Sequence, residues 1–367
     1  MYVVVPLADH TRGCLTCHGE RLDQQVVEFL ATIETLAELG RLGLEHLVGE
    51  LLHLGLERPD VDLEVGSLSH ARQTAAVMER FDAHLDRRPA DLVVVVGDVN
   101  STIACALTAV KRGILVAHVE AGLRSRDREM PEEINRVLTD AIAHLLFTTE
   151  RSAAENLRLE GIPDERIHFV GNVMVDSLLA HKDRALAGER LLAEAPGSYA
   201  LVTIHRPSNV DAPDDLARTV SVLEGAAARL PVVFPVHPRT RERLARFALA
   251  ERLERNPAVR LLPPQGYLAF LRMLVEAKVV LTDSGGIQEE TTALGIPCLT
   301  LRRNTERPVT VEEGTNIVCG HDRTLALGAL DEALAGRGKA GRVPELWDGR
   351  AAERIAGILD RIESGAP

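Results

Sequence analysis

Short β-branched runs alternate with longer stretches of helical periodicity through most of the chain. Residues 92–96 (LVVVV), 114–119 (ILVAHV) and 145–148 (LLFT) are almost uninterruptedly apolar, as strands covered on both faces are. Between them, residues 101–111 and 131–143 have the spacing of helices. In the second of these Ile134, Leu138 and Ile142 recur every four residues, which predicts an apolar buried face. Pro131 opens that helix, where a missing N–H costs nothing. Strand, helix, strand at this spacing predicts parallel βαβ units.

A second series follows, with strands expected at 199–204, 232–236, 259–262, 279–282 and 298–301. Helices are expected between them, among others at 267–277 and 287–294. The Ala-rich, charged stretch 174–197 ends in Pro196-Gly197 and marks the junction of two Rossmann-like halves. Residues 349–363 predict a closing helix with Ala351, Ile355, Ile358 and Ile362 on one face. The amino-terminal part fits this scheme less well. Residues 2–6 suit a strand, but 24–57 is almost continuously helical in pattern where a doubly wound domain would place a second strand.

Composition adds exclusions. Of 367 residues, 46% are hydrophobic and 26% charged, a globular profile. The net charge of −12 argues against broad binding to nucleic acid or an acidic membrane surface. No stretch reaches the length of a membrane span, and residues 1–10 lack the pattern of a signal peptide, so a cytoplasmic location is expected. Five cysteines, sparse and odd in number, do not suggest a disulfide framework. Cys14-Leu15-Thr16-Cys17-His18 matches the haem-attachment pattern. Covalent haem normally requires export and zinc would want a second ligand pair, so chance spacing is the favoured reading.

Candidate chemistry gathers at the predicted carboxyl ends of strands, where open α/β sheets bind ligands. Val96-Gly97-Asp98-Val99-Asn100-Ser101-Thr102 passes from strand to helix; Asp98 is either a ligand-facing acid or a helix cap, with Asn100 or Ser101 also suited to capping. His118-Val119-Glu120-Ala121-Gly122-Leu123-Arg124 ends the next strand with a glutamate that a structural turn does not call for. Glu132 and Glu133 begin the following helix, where acids also complement the helix dipole. Three carboxylates at one sheet edge make an acid–base site. In the second half His205-Arg206 and His237-Pro238-Arg239 each follow a strand and suggest a cationic pocket. Asp283-Ser284-Gly285-Gly286-Ile287-Gln288-Glu289-Glu290 passes from strand to helix, so that backbone N–H groups can meet a diphosphate and Glu290 a ribose. Asn304-Thr305-Glu306-Arg307-Pro308 supplies a guanidinium for phosphate.

Together these residues resemble the non-hydrolysing UDP-N-acetylglucosamine 2-epimerases. The resemblance runs nearly continuously over 96–150, returns at 283–290, 305–308 and Gly314-Thr315-Asn316, and covers about residues 57–365. It implies a glycosyltransferase type-B fold, two Rossmann-like domains (1–177 and 178–345) facing a cleft, with a carboxy-terminal helix (346–367) crossing back to the first. By the same resemblance Asp98, Glu120, Glu132 and His205 are catalytic, while Gln265 and Phe270 contact uracil. Ser284, Gly285, Gly286, Glu290 and Arg307 hold diphosphate and ribose; Arg206 and His237, taken from the two His–Arg motifs and not from the resemblance, are expected to bind substrate as well. The implied reaction interconverts UDP-GlcNAc and UDP-ManNAc through UDP elimination to a 2-acetamidoglucal and re-addition, with no cofactor or metal, in a homodimer. Departures are clear. The family's opening Gly-Thr-Arg-Pro-Glu is missing, with Thr11-Arg12-Gly13 its nearest counterpart, and Arg303 and Val309 stand where the family usually has acids. The alternatives are a 2-epimerase of a modified UDP-sugar, a type-B glycosyltransferase, and a catalytically silent nucleotide-sugar-binding protein.

Overall fold

A computed structural model of the chain describes residues 2–5, 54, 61–66 and 68–363. The Cys14–His18 pattern, Thr11-Arg12-Gly13 and nearly all of the 24–57 stretch lie outside the described residues. The chain divides into two compact units, Met1–Ser177 with Glu345–Pro367, and Leu178–Pro344.

The first unit is built on a five-stranded sheet in the order β1-β2-β3-β4-β5: Tyr2–Val5, Leu92–Val96, Leu115–Ala121, Leu145–Thr148 and Ile167–Phe169. Strands β2 to β5 are parallel, and β1 runs antiparallel along the β2 edge with Tyr2 opposite Val95. Alternation along β2 divides the core. Val93 and Val95 pack with Phe81 and Leu85 of the helix His70–Arg87 and Ala104 of Asn100–Lys111. Val94 and Val96 face the other way, packing with Phe147 and with Ala351, Ala352 and Ile355 of the helix Ala351–Glu363. That last helix is fastened at its start. The Asp176 carboxylate accepts the N–H groups of Ala351 and Ala352 at 3.2 and 2.8 Å, and the Trp347 indole donates to the Thr149 carbonyl at 2.9 Å. Burial pushes the Asp176 carboxyl up to about 6, against the pull of the two N–H donors.

Two expectations need correction. In the helix Pro131–Ile142, Ile134, Val137 and Leu138 are exposed, at 45%, 37% and 50%, while Glu133, Arg136, Thr139 and Asp140 are buried. Its inward face is polar because those side chains find ionic and hydrogen-bonding partners there; only Ile142 of the predicted stripe packs against the core. The helix Asn100–Lys111 is capped by neither Asp98, Asn100 nor Ser101. Val99 holds the cap position, with no side-chain cap bond, and the Asp98 carboxylate is drawn instead to Arg136.

The second unit is a six-stranded, all-parallel sheet of β6 Ala200–Thr203, β7 Val232–Pro235, β8 Val259–Leu262, β9 Val279–Thr282, β10 Cys298–Thr300 and β11 Asn316–Val318. The order β11-β10-β9-β6-β7-β8 reverses between β6 and β9. At that switch point neighbouring loops diverge and leave room for a ligand beyond the strands' carboxyl ends. Val202, Phe234, Leu281 and Leu299 form its core with Leu223, Leu327 and Leu330 from the flanking helices.

Candidate active site

In the first unit, the three candidate acids occupy three different local settings. Asp98 follows β2 and the turn at Gly97 (φ 66°), and its carboxylate meets Arg136 at 2.5 Å. The Asn135 side-chain amide donates to the Asp98 carbonyl at 2.8 Å, so the turn is held from both ends of the residue. Glu120 is buried, at a register shift between β3 and β4, and its φ of 69° is left-handed. For a residue with a Cβ that conformation costs about 1–2 kcal/mol, and strain of this kind collects where a side chain must be aimed. Gly122, two residues on, admits no other residue: its φ is 82° and a Cβ would lie 2.3 Å from the Ala153 carbonyl oxygen. Glu132 and Glu133 share a helical turn but not an environment. Glu133 is buried, accepting from the backbone of Ser125 and Arg126 at 2.9 Å each and pairing with Arg136 at 2.7 Å. Glu132 is half-buried. Glu133 thus builds the turn, while the Glu132 side chain stays partly exposed.

In the second unit, loops on either side of the switch point are joined by Asp283, at the end of β9. Its carboxylate accepts from the backbone of His205 at 3.0 Å and of Arg206 at 2.9 Å, and from the Asn209 amide at 2.8 Å. The His205 ring also approaches it, with Nδ1 at 3.2 Å. Burial alone would raise this acid; His205, Asn209 and the Arg206 N–H together bring it down to about 2. The His205 and His237 rings lie 5.5 Å apart, and His237 Nδ1 accepts the Arg239 N–H at 3.2 Å. Arg239 turns away to Asp211, so the two expected His–Arg pairs bring together their histidines rather than all four side chains.

Ser284 caps the helix Gly285–Leu294 through a long 3.5 Å contact to the Ile287 N–H, and residues 284–290 are buried. Gln288 is the hub behind this turn. Its Nε2 donates to the Ser284 carbonyl at 3.0 Å, and its Oε1 accepts from Thr305 at 2.7 Å and Asn316 at 2.9 Å. Thr305 in turn accepts the Arg307 N–H at 3.0 Å. Arg307 is buried and paired with Glu289 at 2.9 Å, beside the bidentate Arg302–Glu306 pair at 3.1 and 2.7 Å. Burial would raise Glu306; Arg302, Arg307 and Arg206 hold it far below the usual carboxylate range. Glu290 is 2% exposed, Phe270 is buried in the helix Tyr267–Val275, and Gln265 is half-buried with its amide on the Pro263 carbonyl at 2.7 Å. Among the described residues no three His, Cys, Asp or Glu side chains converge as a metal would need. Cys105, Cys298 and Cys319 are free and buried, and burial pushes their thiols up to about 12, 11 and 12.

His118, Arg136, Asp140, Asp283 and Gln288 support these loops without being candidates on sequence grounds. A signal existed for His118, since a polar residue inside an otherwise apolar strand must have a partner; Arg136 and Asp140 lie on the helix face that periodicity assigns to solvent, and Asp283 and Gln288 are held by partners distant in sequence.

The family model for UDP-N-acetylglucosamine 2-epimerase matches residues 21–360. The UDP-N-acetylglucosamine 2-epimerase of Methanococcus maripaludis is 41% identical over 288 residues, 77% of this chain and 79% of that protein. The UDP-2,3-diacetamido-2,3-dideoxy-D-glucuronate 2-epimerase of Pseudomonas aeruginosa is 38% identical over 313 residues, 84% of this chain and 86% of that protein. The fold is similar to that of the Methanocaldococcus jannaschii UDP-GlcNAc 2-epimerase crystallised with UDP-GlcNAc and UDP. The TM-score is 0.82 at 37% identity, covering 92% of this chain and 97% of that one. Two α/β sheets, one all-parallel and one parallel but for β1, acids at the strand ends of one and a Ser-Gly-Gly helix start at the switch point of the other agree with that match, and the chain belongs to the UDP-N-acetylglucosamine 2-epimerase family.

Proposed function

We propose that the protein interconverts UDP-GlcNAc and UDP-ManNAc by inverting C-2. The observation that carries this reading is Glu120, a buried carboxylate held in a strained left-handed conformation at the end of β3. Binding an anionic nucleotide-sugar gives no reason to keep such a group; moving a proton does. The C-2 hydrogen is not α to a carbonyl, so simple removal and return is unfavourable. In the proposed path one carboxylate takes that proton as the C-1–oxygen bond to UDP breaks, leaving a 2-acetamidoglucal. UDP then adds back at C-1 while a proton reaches the opposite face of C-2. Asp98, Glu120 and Glu132 serve the proton transfers. Arg307, His205 and the amides of Ser284, Gly285 and Gly286 stabilise the charge on departing UDP. Arg206, His237 and Glu290 complete the diphosphate and ribose contacts, and Gln265 and Phe270 those to uracil.

The test is proton NMR of the protein with UDP-GlcNAc in D₂O and no acceptor. Both epimers should appear, with deuterium at C-2. Tight UDP binding with neither epimer nor deuterium points to a silent binder, and turnover only on adding an acceptor points to a transferase. The Pseudomonas relative favours a second reading, a 2-epimerase of a modified UDP-sugar such as a diacetamido uronate. A higher kcat/KM for that sugar than for UDP-GlcNAc in the same assay would select it. We also infer a homodimer, supported by the apolar outer face of Ile134, Val137 and Leu138. Light scattering should give the mass of two chains.

A further inference from the structure

The proposed reaction uses neither His118 nor Asp140, yet both side chains are sealed from solvent, at 0% and 1% exposure. His118 Nδ1 meets Asp140 Oδ1 at 2.7 Å, and its Nε2 meets the Gly97 carbonyl at 2.9 Å. A carbonyl only accepts, so Nε2 carries a hydrogen. Asp140 Oδ2 accepts the Gly122 N–H at 3.0 Å and pairs with Arg124 at 2.7 Å; Arg124 continues to Glu160. Gly97 immediately precedes Asp98, and Gly122 lies two residues after Glu120. Asp140 itself stands on the helix Pro131–Ile142, which carries Glu132 in its first turn and supplies Arg136 to Asp98. One buried pair therefore touches the turn, the strand end and the helix that bear the three acids.

We propose that His118 and Asp140 are positioning residues that hold Asp98 and Glu120 at a fixed spacing. A pair so deeply buried stabilises poorly compared with apolar side chains of the same volume, because two polar groups lose their hydration. What it supplies that apolar side chains cannot is directed hydrogen bonds to two backbone groups, Gly97 O and Gly122 N. Burial would raise the Asp140 carboxyl; His118 and Arg124 hold it below its ordinary value, which keeps it an acceptor for Gly122. The inference rests on Asp98 and Glu120 acting in the reaction.

A double-mutant cycle on the full chain tests it. His118→Asn keeps a donor on the Asp140 side and removes the one to Gly97. Turnover should fall on the order of 10²-fold, the scale of a small misplacement of a reacting group, with KM and UDP affinity within about threefold. In an Asp98→Asn background the same change should cost less than about threefold more, because its effect passes through Asp98. His118→Gln, which restores a donor near the Nε2 position, should recover at least roughly tenfold of the loss. Losses that multiply in the double variant, or turnover within about threefold of the parent in His118→Asn, overturn the proposal. Full turnover in Asp98→Asn alone overturns the reading beneath it, and the two failures are distinguishable. If His118→Asn does not fold, Asp140→Asn is measured in the same way against Glu120→Gln.

Discussion

The acid cluster of the first unit and the Ser-Gly-Gly turn of the second are both loops at the ends of parallel strands, yet they are held by opposite means. Around Asp98 and Glu120 the supports are charged: Arg136 bridges Asp98 and Glu133, and Asp140 joins His118 to Arg124. Behind Ser284 the central support is a neutral amide, Gln288, satisfied at both ends by Ser284, Thr305 and Asn316. Backbone geometry differs in the same direction, with Glu120 strained and Ser284 in ordinary extended conformation at φ −81°. A group that moves protons needs its surroundings to set where it points and which charges it faces. In the proposed reaction the Ser284 turn cradles a diphosphate, which needs only N–H groups fixed in place, and a neutral hub fixes them.

Two variants sharpen that contrast. The larger effect is expected from Glu120→Gln, which keeps the volume and removes the titrating oxygen. Turnover should fall roughly 10²–10⁴-fold with UDP affinity within a few-fold, measured by steady-state kinetics and calorimetry. Loss of UDP binding alongside turnover would make this acid part of the nucleotide site instead. Arg307→Ala should act the other way round, weakening UDP binding by roughly 1.5–3 kcal/mol and slowing turnover as well. Because Arg307 also neutralises the buried Glu289, calorimetry should be paired with a melting curve. A large drop in melting temperature with unchanged UDP affinity would make the arginine a partner of Glu289 alone.

Much of this was legible from residues, and what was not has a physical reason. The LVVVV run of β2 and the strands at 145–148 and 279–282 stand where their patterns put them, because burial on both faces leaves no alternative to apolar side chains, while the edge strand 259–262 is also in place although its Arg260 is exposed. Of the three three-residue strands, Cys298–Thr300 is marked by its apolar surroundings, while Ile167–Phe169 and Asn316–Val318, each including a polar residue and too short to carry a period, are not. The helix Pro131–Ile142 misled for another reason. Periodicity shows that a helix has two unlike faces, and the polar one turns inward here because Arg136 and Asp140 meet partners there. The order of acids, glycines and serine along the chain put those residues at strand ends, and the structure has them there. The supporting contacts of Asp283 and Gln288 link positions far apart in sequence, and no local pattern records them.

The helix Ala351–Glu363 sets the order in which the protein can be made. Asp176 waits for the N–H groups of Ala351 and Ala352, and the β2 face formed by Val94 and Val96 waits for Ile355. On a ribosome the whole of Leu178–Pro344 emerges before those partners do. The second unit can finish folding while its predecessor still shows an apolar sheet face, which invites the attention of chaperones. Completion of the earlier-made half is thereby reserved for chains that have been translated past Ile355.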